Sequence, residues 1–152
     1  MIAVCIATYN HESFIAQCIE SVLTQVCDDP IRIYIGDDSS TDGTSLICRR
    51  YIEKDERIVY IRREKNIGLV GNTIDLYRRI MADGCEYIAM LDGDDYWIDA
   101  HKLQLQIDYL RATPECGFVH TDGKVSSNKN TWKFGQREGL YGIDSPGFAN
   151  CT

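Results

Sequence analysis

No apolar stretch in this sequence is longer than a strand, so nothing in it offers the ~20 residues that cross a bilayer as a helix, and no signal-peptide pattern opens it. Positive charge is scarce too. Sixteen Lys and Arg stand against 23 Asp and Glu, and the net charge of -7 lacks the basic face of a general nucleic-acid binder. An anionic ligand therefore needs local help here, from a metal ion or from helix N-termini. Histidine is rare: His11, His101 and His120 share no ligand spacing and read as structural or surface residues. The seven cysteines are an odd number with no two at C-x-x-C spacing, and they are assigned no catalytic or zinc role. Several occupy apolar positions where a free Cys acts as a small hydrophobe, and a reducing cytoplasm is the simplest setting.

What remains is an ordinary globular composition, 44% hydrophobic and 26% charged, in a length that suits a single domain. Residues 2–7 form a continuous apolar run, the mark of a central strand covered on both faces. From residue 11 to 26 the apolar positions Phe14, Ile15, Cys18, Ile19, Val22, Leu23 and Val26 recur at helical spacing, with Asn10 as the expected N-cap. A second strand is expected at 31–35. A helix carrying Leu46, Ile47, Tyr51 and Ile52 follows, capped by Thr41 or Asp42, and then a third strand at 58–61. A helix at 72–82 leads into a fourth strand at 87–91, and a helix at 101–110 is stopped by Pro114 before a fifth strand at 117–121. Beyond Asp122 no period is visible. Strand and helix alternating four times predicts parallel strands with right-handed crossovers, a three-layer α/β/α, Rossmann-like sheet.

In such sheets ligands bind beyond the carboxyl ends of the strands. Polar residues collect there: Thr8, Tyr9 and Asn10 after the first strand, Asp37 and Asp38 after the second, and Asp92-Gly93-Asp94-Asp95 after the fourth. Like charges so close together are unfavourable unless something positive sits among them, and carboxylates are hard ligands suited to Mg²⁺ or Mn²⁺. A solvated acidic turn, with Asp95 or Asp99 capping the next helix, is the plainer alternative for the loop alone. The asymmetry between the two ends of the sheet favours an active site. Asp37 serves equally as a loop cap or a nucleotide contact, Asp42 reads as a helix cap, and Trp97 as core or a cleft wall. Arg62, Arg63 and Lys65 form a short basic loop of the kind that is usually solvated.

Ala7-Thr8-Tyr9-Asn10, Asp37-Asp38-Ser39-Ser40-Thr41-Asp42-Gly43-Thr44, Asn66-Ile67-Gly68 and Asp92-Gly93-Asp94-Asp95-Tyr96-Trp97 stand in this order and spacing. Together they resemble the family-2 inverting glycosyltransferases of GT-A fold. The likeness runs from Ile2 to about Asp122. It implies transfer of a sugar from a metal-bound nucleotide-diphosphate sugar, a UDP-sugar above all, to a hydroxyl of a glycan or lipid-linked acceptor in cell-surface polysaccharide synthesis. It implies nucleotide-sugar contacts at Thr8, Tyr9, Asn10, Asp37, Asp38, Asn66, Gly68, Asp92 and Gly93, with Asp38 accepting a hydrogen bond from the base. Asp94 and Asp95 are the implied ligands of Mn²⁺ or Mg²⁺, the choice between them being open. Gly71-Asn72 departs from the Ala-Arg-Asn of many relatives and puts a basic phosphate contact there in doubt.

Rival chemistries fit less well. A nucleotidyltransferase needs a glycine-rich loop where Thr8-Tyr9-Asn10-His11 stands, and a haloacid-dehalogenase-type phosphatase needs an Asp after the first strand. A donor-binding fragment without turnover remains in play. The general base that inversion requires is not evident, Asp122 being a weak candidate. Residues 1–152 are thus expected to be a single donor-binding domain cut from a longer enzyme, with 123–152 opening the acceptor side. Self-association through uncovered apolar surface is a further expectation. The expected location is the cytoplasm, extending to peripheral attachment at the inner face of the membrane.

Overall fold

The computed structural model describes residues 1–121, 124–126 and 131–133. It divides into two compact units, Met1–Gln104 and Leu105–Thr152. The first carries β1 (Ile2–Thr8), α1 (Ile15–Leu23), β2 (Ile31–Asp37), α2 (Thr44–Ile52), β3 (Ile58–Arg62), α3 (Gly68–Ala82) and β4 (Tyr87–Asp92); α4 (Lys102–Ala112) crosses the boundary. In the second, β5 (Lys124–Ser126) pairs antiparallel with β6 (Thr131–Lys133).

The four strands of the first unit form one parallel sheet in the order β3-β2-β1-β4. β1 lies inside it and is buried along its whole length, as its unbroken apolar run requires. Its side chains alternate between two cores. Val4 and Ile6 join Ile33, Ile35 and Leu91 against Ile15, Cys18, Ile19 and Val22 of α1 and Cys48 of α2. Ala3 and Cys5, pointing the other way, meet Tyr34 and then Leu76 and Ile80 of α3. Helices on both faces of a parallel sheet make this a three-layer, doubly wound α/β unit. The chain runs outward from β1 to β2 and β3, then crosses back to β4 on the far side of β1. The order therefore switches at the carboxyl ends of β1 and β4.

Three expectations from the sequence need correction. The segment 117–121 carries no strand, and Phe118 is exposed. An apolar run becomes a strand only where another strand stands beside it to exchange hydrogen bonds, which residue pattern does not reveal. Asn10 does not cap α1. It has a left-handed φ of 55°, its side chain accepts the Thr41 amide at 2.8 Å, and α1 begins after Phe14. Helix α3 starts at Gly68, four residues before the expected position. Cys5, Cys18, Cys48 and Cys85 are buried free thiols and Cys27 is a half-buried one. Among the described residues no helix is long and apolar enough to cross a membrane.

Candidate functional site

A cleft of about 500 Å³ opens at the carboxyl ends of β1, β2 and β4. Thr8 and Tyr9 reach it from the end of β1, Asp38 from the end of β2, Asn66 and Gly68 from the approach to α3, and Asp92 and Asp94 from the loop after β4. Seven of the sequence-predicted residues are thus brought together. Asn10, Asp37, Gly93 and Asp95 are not among the lining residues.

Each of those four has another place. Asp37 is fully buried: it accepts the Ser40 amide at 2.8 Å and the Tyr60 hydroxyl at 2.6 Å, with the Arg62 guanidinium 3.6 Å away. Asn10 joins the loop after β1 to the loop after β2, its own amide donating to the Ser40 hydroxyl at 3.0 Å. Asp95 closes a turn by donating its amide to the Asp92 carbonyl at 3.0 Å. Gly93 donates its amide to the Ala7 carbonyl at 2.9 Å, which continues the β1–β4 pairing past the strand end. A Cβ at Gly93 would stand 2.6 Å from Thr8 Oγ1 and 2.8 Å from His11 Nδ1, so the loop approaches β1 this closely only because the residue is glycine.

Asp38 is 2% exposed yet borders the cleft. Its carboxylate oxygens accept the amides of Ile67 and Gly68, each at 2.8 Å, so it holds the N-terminus of α3. A carboxylate has about four lone-pair sites, so these two bonds leave capacity to accept another donor. Asp92 keeps an exposed side, but partial burial of its carboxyl, followed by the charges of Asp94 and Asp95, raises its pKa above the ordinary aspartate value, while His11 pulls it down. That is the electrostatic condition a bound cation relieves.

Sequence reading missed His11, Leu69 and Asn72, which also line the cleft. Asn72 is 1% exposed, donates to the Gly36 carbonyl at 2.7 Å and accepts from Arg63 Nε at 3.0 Å. Its signal was a polar residue at helical spacing from the apolar Leu76 and Ile80, on the face that the helix buries. Arg62 donates to the Ser40 carbonyl at 2.8 Å, and Arg63 also pairs with Asp75. Arg62 and Arg63 are therefore tied into the fold, while Lys65 is exposed. Asp42 accepts the Thr44 amide at 3.0 Å as α2 begins, and Asp99 accepts the His101 amide at 2.8 Å just before α4. Trp97 packs against the first core. Asp122 lies outside the described residues.

No group of three or more His, Cys, Asp or Glu side chains is gathered as a metal cage among the described residues. Mg²⁺ and ions like it are commonly held by one or two carboxylates with phosphates and water completing the shell, and the hard oxygens of Asp92, Asp94 and Asp95 fit that pattern.

The sequence model described as glycosyl transferase family 2 matches residues 3–148. The chain is 30% identical over 149 residues to chondroitin synthase of Escherichia coli, covering 92% of this chain and 21% of that one. It is 37% identical over 110 residues to the E. coli UDP-Glc:alpha-D-GlcNAc-diphosphoundecaprenol beta-1,3-glucosyltransferase WfaP, covering 72% and 41%. Its fold is similar to the crystal structure of Staphylococcus aureus TarS 1-349 in complex with UDP, with a TM-score of 0.63 and 25% identity over 73% of this chain and 32% of that one. The chain spans 31% of the length of the mycobacterial relatives it also matches.

Proposed function

Because the chain belongs to glycosyl transferase family 2, we propose that it binds a nucleotide-diphosphate sugar, a UDP-sugar, for transfer to an acceptor hydroxyl in cell-surface glycan synthesis. The observation that carries this reading is the cleft at the strand-order switch, which gathers Thr8, Tyr9, Asp38, Asn66, Gly68, Asp92 and Asp94. Relatives named for chondroitin and for a UDP-glucose donor, and a neighbour bound to UDP, support the donor class.

Asp38 accepts the imide N–H of uracil, since an ionised carboxylate accepts and cannot donate. Tyr9, 43% exposed at the rim, offers a ring on which the base stacks. Thr8 and Asn66 frame the same pocket, and Asp92 receives ribose or sugar hydroxyls. Asp94 and Asp95 are the residues to hold Mn²⁺ or Mg²⁺. That ion supplies Lewis-acid stabilisation of the charge that builds on the departing diphosphate. Asp37, Asn10 and Gly93 act one step back, as the scaffold of the pocket. The acceptor is a glycan or a lipid-linked glycan at the cytoplasmic face of the membrane, in line with the diphosphoundecaprenol in the name of one relative. Inversion also needs a base to take the acceptor's proton as its oxygen attacks the anomeric carbon. None of the described cleft residues is assigned to that step.

The test is product mass spectrometry after incubation with a panel of nucleotide sugars and glycan acceptors. The expected result is an acceptor heavier by one sugar, with nucleoside diphosphate released in equal amount. Sugar phosphate and nucleoside monophosphate as products would replace this reading with phosphoanhydride hydrolysis. Calorimetric binding without product would make the chain a donor-binding module.

A further inference from the structure

His11 connects the elements that meet at the cleft. Its amide donates to Thr44 Oγ1 at 2.8 Å at the head of α2, and its carbonyl accepts the Phe14 and Ile15 amides as α1 begins. The backbone of this residue is therefore fixed by two helices. Its ring reaches the acidic loop from there. Nδ1 lies 3.2 Å from Thr8 Oγ1, Nε2 lies 4.0 Å from Asp94 Oδ2, and the ring stands over Gly93, where a Cβ would come within 2.8 Å of Nδ1. A ring nitrogen facing a carboxylate oxygen is favourable only when it carries a hydrogen. At 4.0 Å the Nε2 edge and the Asp94 carboxylate make an electrostatic contact longer than a hydrogen bond, and which partner donates between Nδ1 and the Thr8 hydroxyl follows the tautomer. The result is a relay: Thr8 on the rigid central strand orients the imidazole, and the imidazole faces the carboxylate.

We propose that His11 is a positioning residue for Asp94, its Nε2 edge drawing that carboxylate towards the cleft across the 4.0 Å between them, so that a divalent cation accompanying a nucleotide diphosphate meets it ready-placed. The proposal rests on the glycosyltransferase reading of the cleft. Asp94 itself is half exposed, its side chain 52% accessible, and the loop would otherwise leave it free to point elsewhere. Partners that orient a metal-binding side chain from behind matter to affinity nearly as much as the ligand does.

Two variants separate this role from packing. His11→Phe keeps a flat ring over Gly93 but has no N–H, whereas His11→Gln places an amide N–H at about the reach of Nε2. Titration of UDP into each chain, once with Mn²⁺ and once with chelator, is the readout. The expected result is a Kd for UDP in Mn²⁺ raised on the order of 10-fold or more in His11→Phe and largely restored in His11→Gln. With chelator the three chains should differ much less than they do with Mn²⁺. Mn²⁺ should also broaden the ring proton signals of His11 in NMR spectra of the unsubstituted chain, with thermal unfolding confirming that both variants are folded. Metal-dependent UDP binding that His11→Phe leaves unchanged would overturn the role of His11 alone, and so would an equal loss with and without Mn²⁺. Equal binding of UDP by the unsubstituted chain in Mn²⁺ and in chelator would overturn the metal-site reading beneath it.

Discussion

Gly93 and Asp92 show how single residues set this cleft. The space beside Gly93 is filled by Thr8 and His11, so Gly93→Ala forces the loop away from β1. Overpacking of this kind costs typically 1–3 kcal/mol, roughly, and the urea midpoint of Gly93→Ala should fall accordingly with the slope unchanged. At Asp92 the folded chain holds the pKa above the aspartate value of 3.8, chiefly by burial and then by Asp94 and Asp95. Between the unfolded and the folded value the folded chain binds more protons, so stability falls as pH rises through that window and the loss persists above it. Asp92→Asn removes the ionisation. In metal-free buffer at neutral pH it should be at least as stable as the parent, and its melting temperature should lack that decline. Its metal-dependent UDP binding should be weaker. A parent melting temperature that rises across the window relative to that of Asp92→Asn would contradict the sign. That Asp92 and Asp94 share one loop could be read directly, because they are neighbours in the sequence. The place of His11 could not be: its meeting with Gly93 depends on β1 and β4 being neighbours, and no local spacing reports that pairing.

At the scale of elements, the four strand-and-helix repeats were legible because buried parallel strands are continuous apolar runs and their helices keep a period near 3.6. Ends were less so, because distant residues make them. Gly68 and Gly71 are poor helix formers, so local propensity does not favour a start of α3 before Asn72. The structure starts it at Gly68, with φ of 80°, because Asp38 supplies acceptors to the amides of Ile67 and Gly68 from 29 and 30 positions earlier. A negative group there also favours the helix dipole. Asp38 thus joins β2 to α3 and faces the cleft at once. Asp38→Ala should lower stability by about 1–2 kcal/mol, the usual cost of losing an N-cap. It should also abolish the preference for UDP over CDP, whose neutral cytosine presents an acceptor where uracil presents a donor. Competitive titration of the two nucleotides and chemical denaturation read the two effects separately. A destabilised variant that still prefers UDP would leave Asp38 as a helix cap alone.

Over the whole molecule, charge is the quantity that the cleft must overcome. The chain has a net charge of -7, and its acidic loop carries three carboxylates, of which Asp92 and Asp94 line the cleft. Asp38 adds another at the cleft wall, while Arg62 and Arg63 are committed to Asp37, Ser40, Asn72 and Asp75. A nucleoside diphosphate approaching this surface is repelled by the molecule as a whole and by the site in particular. Nearby cations can offset this in two ways. Screening acts on the general field and depends on ionic strength, with a Debye length near 10 Å at about 0.1 M. Binding acts at one place and depends on the identity of the ion. The two make different predictions. UDP should bind at least roughly tenfold more tightly, about 1.4 kcal/mol, with Mn²⁺ or Mg²⁺ than with chelator at matched ionic strength. NaCl raised to that same ionic strength should recover little of the difference. Asp94→Asn or Asp95→Asn should remove most of the metal effect while leaving the melting temperature close to that of the parent, since both carboxylates lie in an exposed loop. If NaCl reproduces the whole gain, the acidic loop is a solvated turn and the cation merely screens it. If one Asn variant abolishes the gain and the other leaves it intact, the sensitive position identifies the metal ligand, a choice that the order of residues in Asp92-Gly93-Asp94-Asp95 leaves open.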